Sequence, residues 1–140
     1  MGDSVTHIRR GRIERDGEEL FYEFFTRGQA DAGGAGDDRP VVVLTHGAGG
    51  SHAVWYNQVP VLAERFRVLT WDSRGFGNST CRSGRLSADA AVADLGAILD
   101  EVGADLLLRC EPGTGVPLPR TSRRTSTATP PREAGPEMDA

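Results

Sequence analysis

The sequence is short of several features that would point to particular classes of protein. It contains no lysine, so all 16 basic residues are arginine, and 20 residues are acidic. Because the arginines are scattered and offset by acids, no nucleic-acid partner is indicated. The two cysteines, Cys81 and Cys110, have neither CxxC spacing nor paired histidines, which argues against a disulfide framework or a zinc site. Two scattered thiols favour a reducing, cytoplasmic compartment.

Long apolar runs are missing too. No stretch approaches the roughly 20 apolar residues that span a bilayer, so no membrane partner is predicted. Residues 111–140 hold six of the eight prolines and a Ser/Thr/Arg tract, without apolar periodicity. Such a composition cannot bury enough surface to offset its ordering entropy. We therefore predict one ordered unit over residues 1–110 and a disordered tail over 111–140.

The ordered part begins with the pattern of an antiparallel hairpin. Two alternating stretches, residues 5–14 and 19–26, flank an Asp16-Gly17 step, which is a strong short-range hairpin signal. Strands and helices then alternate, which predicts a parallel sheet with crossover helices. These elements are a buried strand at 41–45, a helix at 54–65 that Pro60 kinks or divides, a strand at 66–71, a helix at 87–102 capped by Ser87 and stopped by Gly103, and the start of a third strand at 106.

The first motif that carries chemistry is His46-Gly47-Ala48-Gly49-Gly50, directly after the first buried strand. Small residues let the backbone turn sharply and expose N–H groups, which can stabilise a developing oxyanion. The alternatives are a plain glycine-rich turn or a phosphate-binding loop. A dinucleotide fingerprint needs a third glycine where His52 stands, and a Walker A loop needs a lysine that the sequence lacks.

The second motif is Asp72-Ser73-Arg74-Gly75-Phe76-Gly77-Asn78-Ser79, again directly after a strand. Alone it is a charged turn. Paired with the first motif at this interval, with a helix that contains Trp55 between them, it is much more specific. Over residues 5–105 the arrangement resembles the N-terminal half of the α/β-hydrolase superfamily, with its specific evidence in residues 41–80.

The resemblance implies an α/β fold in which a β-hairpin precedes parallel β-α-β-α units, and a set of site residues. The oxyanion hole would consist of Ala48, whose backbone N–H is the donor, and Gly49. The remaining motif residues would shape the loops, and none of them is expected to be catalytic: His46, Gly47, Gly50, Asp72, Arg74, Gly75, Gly77 and Ser79. Glycines rather than proline after the His-Gly pair favour hydrolysis of an ester, lactone or C–C bond of a small molecule. No metal and no cofactor is expected.

The sequence departs from this family where the nucleophile should follow. Members carry a G-x-S-x-G elbow after the next strand and a later histidine, whereas this sequence has no G-x-S-x-G, and its histidines are His7, His46 and His52. Thr114, within Pro-Gly-Thr-Gly-Val, is the only weak candidate at that position.

Three hypotheses follow. The first is a truncated or frameshifted, inactive α/β-hydrolase, with residues 106–140 in place of the catalytic half. The second is a non-catalytic, oligomeric binding or scaffold protein, in which strands 41–45 and 66–71 expose a parallel edge that self-association would cover. The third is a minimal active hydrolase that uses Thr114 or an unforeseen nucleophile, and a threonine nucleophile needs an adjacent base.

Overall fold

The computed structural model describes residues 6–28 and 36–104 and the backbone of 106–110. Within these ranges lie five strands, one 3₁₀ helix and two α-helices. In chain order they are β1 (Thr6–Arg15), β2 (Glu18–Arg27), β3 (Val41–Thr45), the 3₁₀ helix (His52–Trp55), α1 (Gln58–Leu62), β4 (Arg67–Trp71), α2 (Ala88–Val102) and β5 (Leu106–Cys110). The predicted tail, with Thr114, lies outside the described residues.

The strands form one mixed sheet in the order β1-β2-β4-β3-β5. β1 and β2 are the predicted antiparallel hairpin, and β2 also pairs antiparallel with β4. β3 pairs parallel with both β4 and β5. The expected α/β architecture is therefore confirmed, but the expectation that β3 and β4 form an exposed edge is wrong. Each has a neighbour on both sides, because the hairpin covers β4 and β5 covers β3.

Each face of the sheet carries its own apolar cluster because side chains alternate along the strands. One cluster packs against α2 and the other against the 3₁₀ helix and α1. The α2 side is built from Leu20, Tyr22, Phe24, Val41, Val43, Leu69, Trp71, Leu95, Ile98 and Val102. The α1 side is built from Phe25, Val42, Leu44, Val59, Ala63 and Val68. The continuous apolar run in β3 is thus explained by burial on both faces.

The two helices show how local sequence sets their ends. The hydroxyl of Ser87 accepts a hydrogen bond from Ala90 N, and Gly103 follows the helix with a φ of 65°, so both predicted ends of α2 are confirmed. The predicted 54–65 helix exists as two shorter pieces, and the break precedes Pro60. Pro60 is the third residue of α1, where a missing N–H costs nothing because the first turn has no intrahelical acceptor. Neither described helix is long and apolar enough to cross a membrane.

Candidate active site

The Gly47–Gly50 segment forms a tight turn at the carboxyl end of β3, called here the oxyanion turn. Gly50 N donates to Gly47 O at 3.1 Å, and Gly49 has a φ of 80°. A positive φ at the third position is the signature of a type II turn, which favours glycine there. Ala48 and Gly49 are exposed, and their N–H groups have no acceptor in the described part of the chain. Two N–H groups that point out of such a turn without an acceptor can receive an anionic oxygen.

His46 fixes the start of this turn with both ring nitrogens. Nδ1 lies 2.8 Å from Gly47 O, and Nε2 lies 3.0 Å from Ser73 N. A carbonyl only accepts and a backbone N–H only donates, so the ring hydrogen is on Nδ1 and Nε2 is the acceptor. The ring also meets Phe76 edge-on, at a centroid distance of 5.4 Å. His46 therefore braces the end of β3 against the end of β4 and has no nitrogen free for proton transfer.

Asp72, the first residue after β4, is fully buried and gathers donors from two loops. It accepts from His52 N at 2.6 Å, from His52 Nδ1 at 2.9 Å and from Asn78 N at 2.9 Å. A buried carboxylate is tolerated when donors of this kind replace water. Gly77 lies against it with a φ of 53°, and a Cβ at Gly77 would collide with the carboxylate. Asp72 thus joins the second motif to His52, which follows the oxyanion turn.

The end of the second motif ties this loop to the hairpin. Ser79 Oγ donates to Asp72 O at 2.7 Å and accepts from Phe21 N at 2.9 Å. Gly75, with a φ of 77°, donates its N–H to Thr80 O at 3.2 Å. The loop therefore continues the β2–β4 contact beyond the last ladder pair.

Arg74 points to a different part of the fold. It binds the carboxylate of Asp94 with both Nε and Nη2, at 2.6 and 2.9 Å, and Nη2 also contacts Asp16 at 3.0 Å. The hydrogen bonds that Arg74 donates to Asp94 raise the Arg74 pKa, although burial opposes this shift. Arg15 adds a third contact to Asp94 at 2.8 Å. The arginine of the second motif therefore joins α2 to the turn of the hairpin.

Sequence reasoning missed another buried carboxylate, Glu18, at the start of β2. It accepts from the Thr80 hydroxyl at 2.6 Å and from the backbone N–H groups of Arg82 and Ser83, each at 2.9 Å. These hydrogen bonds lower its pKa to about 2. Sequence reasoning also missed Asp94 and the side-chain contact of His52. The one available signal was Asp94 itself, a charge within the apolar stripe of α2.

Comparisons with known proteins point to one fold. Residues 40–107 match the family model described as the alpha/beta hydrolase fold. A probable oxidoreductase, EphD, from Mycobacterium tuberculosis is 54% identical over 43 residues, which are 31% of this chain and 7% of that protein.

Two solved structures share the fold. Epoxide hydrolase A from Mycobacterium thermoresistibile superposes with a TM-score of 0.57 at 26% identity and covers 72% of this chain and 30% of its own. The enol-lactonase from Burkholderia xenovorans superposes with a TM-score of 0.59 at 26% identity, and the match covers 72% of this chain and 36% of the enol-lactonase. This chain thus spans about a third of either structure or less. Over residues 40–107 the chain has the α/β-hydrolase fold, of which it contains the N-terminal portion.

Proposed function

We propose that this chain supplies the oxyanion-binding portion of a hydrolase that acts on an ester, lactone or C–C bond of a small molecule. The observation that carries the proposal is the oxyanion turn, with the unpaired N–H groups of Ala48 and Gly49 at the carboxyl end of a buried parallel strand. Ligands of open α/β sheets bind at this end of the strands. The enol-lactonase is a relative whose named activity is of this class.

The chemistry assigned to these groups is charge stabilisation. Attack on a carbonyl carbon places negative charge on the carbonyl oxygen, and two fixed N–H donors lower the energy of that oxyanion without reorganisation. The attacking nucleophile and its base must be other groups. Both nitrogens of His46 are engaged, and the printed sequence has no G-x-S-x-G. We therefore propose that the chain of 140 residues is a truncated or frameshifted form that does not turn over substrate by itself.

The first test is resequencing of the coding region around residues 103–112, with several hundred bases downstream. We expect a one- or two-base correction to open a frame that encodes G-x-S-x-G, then an acid and a histidine. If the printed frame stands and no such sequence follows, the hydrolase proposal is overturned. Size-exclusion chromatography then tests the alternative, an oligomeric binding or scaffold protein that self-associates through the sheet edge formed by β5.

The second test is turnover of an activated ester, a small lactone and an epoxide. The corrected enzyme is expected to hydrolyse the first two substrates, and turnover of the epoxide alone would contradict the proposed substrate class. The chain of 140 residues is expected to show no turnover above the blank. If it does turn over ester and Thr114→Ala abolishes this, the minimal hydrolase that uses Thr114 replaces the proposal.

The role of the turn has its own test, Ala48→Pro in the corrected enzyme. Ala48 is the second residue of the turn and has a negative φ, so proline fits the backbone there while it removes the N–H. Loss of one such donor lowers kcat by roughly 10²–10³, which is about 2.7–4 kcal/mol. The matched control is Ala48→Ser, which keeps the N–H. Equal activity in both variants would remove Ala48 from the mechanism.

The remaining expectations for the intact protein are also proposals. Its partner would be a small-molecule substrate. The scattered arginines argue against a nucleic-acid partner, and the lack of a long apolar run in the sequence argues against a membrane partner. Two scattered cysteines support the cytoplasm as its compartment.

A further inference from the structure

We propose that His52 is a positioning residue for the oxyanion turn, and that it acts through Asp72. This inference rests on the proposed function, because it assigns a role in holding donors that the proposed function uses. The loop from residue 46 to 52 begins and ends with a histidine. Each of the two is tied to the segment that follows β4.

The two attachments meet at consecutive residues. At the start of the loop, Ser73 N donates to His46 Nε2 at 3.0 Å. At its end, the backbone N–H and the Nδ1 of His52 both donate to Asp72. Since Asp72 and Ser73 are the two residues that follow β4, and Asp72 is fully buried, both ends of the loop attach to one short segment. The oxyanion turn lies between these two attachments, called here the clamps, so its orientation depends on both.

The imidazole of His52 adds a second contact to Asp72 beside the one that its backbone N–H makes. Nδ1 lies 2.9 Å from each oxygen of Asp72, so the ring fixes the rotation of the carboxylate. A carboxylate only accepts, so Nδ1 carries the hydrogen. The ring packs on Phe21 at a centroid distance of 5.0 Å, and its Nε2 lies 4.0 Å from a carboxylate oxygen of Glu23. Contacts on three sides hold the imidazole in this orientation.

Two substitutions separate the hydrogen bond from the packing. His52→Asn keeps an N–H donor near the position of Nδ1, whereas His52→Leu keeps bulk over Phe21 and removes the donor. His7→Leu is the control, because His7 lies on β1 and makes no hydrogen bond to the loop among the described residues.

The experiment measures backbone ¹⁵N order parameters of the 140-residue chain at Ala48 and Gly49, with α2 as an internal reference. In the wild type and in His52→Asn we expect the value of about 0.85 typical of rigid backbone, and in His52→Leu a fall below about 0.6. The values in α2 and in His7→Leu should not change. Unchanged values at Ala48 and Gly49 in His52→Leu, or an equal fall in α2, would overturn the proposal.

A measurement on the wild type remains decisive if His52→Leu does not fold. Long-range ¹H–¹⁵N correlation of the imidazoles should show His52 with its hydrogen on Nδ1. A hydrogen on Nε2 alone would overturn the clamp. Neither readout uses catalysis, so failure of Ala48→Pro to lower kcat would remove Ala48 from the proposed mechanism and leave the clamp standing. In the corrected enzyme, His52→Leu should lower kcat with little change in KM, and His52→Asn should restore it.

Discussion

Removal of the Asp94 charge should destabilise the fold more than any surface substitution. The side chain of Asp94 is 0% exposed, and that of its bidentate partner Arg74 is 6% exposed. Loss of one partner from such a buried pair leaves an uncompensated charge and costs about 3–5 kcal/mol. For Asp94→Asn we expect about 3 kcal/mol, the low end, because the amide oxygen still accepts one hydrogen bond. The second partner of Asp94, Arg15, has a side chain that is 30% exposed, so Arg15→Met should cost about 1 kcal/mol or less.

Urea unfolding followed by far-ultraviolet circular dichroism measures these differences, provided that the m-values agree among variants. The double variant Asp94→Leu with Arg74→Met should recover most of the loss, because a well-packed apolar pair is often as stable as a buried ion pair. The reasoning is refuted if Asp94→Asn lowers the free energy of unfolding by less than about 1 kcal/mol. It is equally refuted if Arg15→Met costs as much as Asp94→Asn.

Three further predictions test other parts of the site by the same unfolding measurement. Gly77→Ala should lower the free energy of unfolding clearly more than Gly84→Ala, because both glycines have positive φ but only a Cβ at Gly77 meets a carboxylate. The Gly84 variant should lose about 1–2 kcal/mol of stability. Equal losses in the two variants would argue against the close approach of Gly77 to Asp72. Thr45→Val should cost about 1–3 kcal/mol because Trp71 Nε1, buried 3.0 Å from the hydroxyl, loses its acceptor. Because the folded pKa of Glu18, about 2, lies below its ordinary 4.5, its stabilisation is complete above pH 4.5 and is lost as the pH falls to 2, so Glu18→Gln should flatten the fall in unfolding free energy over this window. A fall of the same steepness in that variant would assign the acid sensitivity elsewhere.

The sheet could be predicted from the sequence because its strands carry strong local patterns. The Asp16-Gly17 step and the apolar runs at 41–45 and 66–71 each specify an element within a few residues of its observed bounds. The strand order could not be predicted from those patterns alone. Antiparallel pairing of β2 with β4 places β4 inside the sheet, and this pairing joins residues far apart in the sequence. The hypothesis of an exposed β3–β4 edge was wrong for that reason.

The sequence motifs identified the site residues that directly follow a strand. They did not identify the residues that reach the site only through tertiary contacts. Both motifs follow strands, so their position at the carboxyl ends could be read directly. Asp94 pairs with Arg74 across 20 residues, and His52 meets Asp72 across the same separation. The periodic pattern of apolar residues along the sequence does not indicate such a pair. A buried charge on an apolar helix face is the one local hint, because it requires a partner.

The described residues divide the work of the site in a way that makes stability and activity separable. The two carboxylates Asp72 and Asp94 hold the loops, and neither accepts a described hydrogen bond from the oxyanion turn, whose donors belong to the backbone. Backbone donors do not titrate, so their strength is set by orientation alone, and orientation is what the clamps supply. Ala48→Pro should therefore leave the urea midpoint unchanged and lower kcat, whereas Asp94→Asn should lower the midpoint and leave the order parameters of the turn unchanged. If Asp94→Asn also loosened the turn, the two supports would be one cooperative unit, and the separate role of His52 would have to be abandoned.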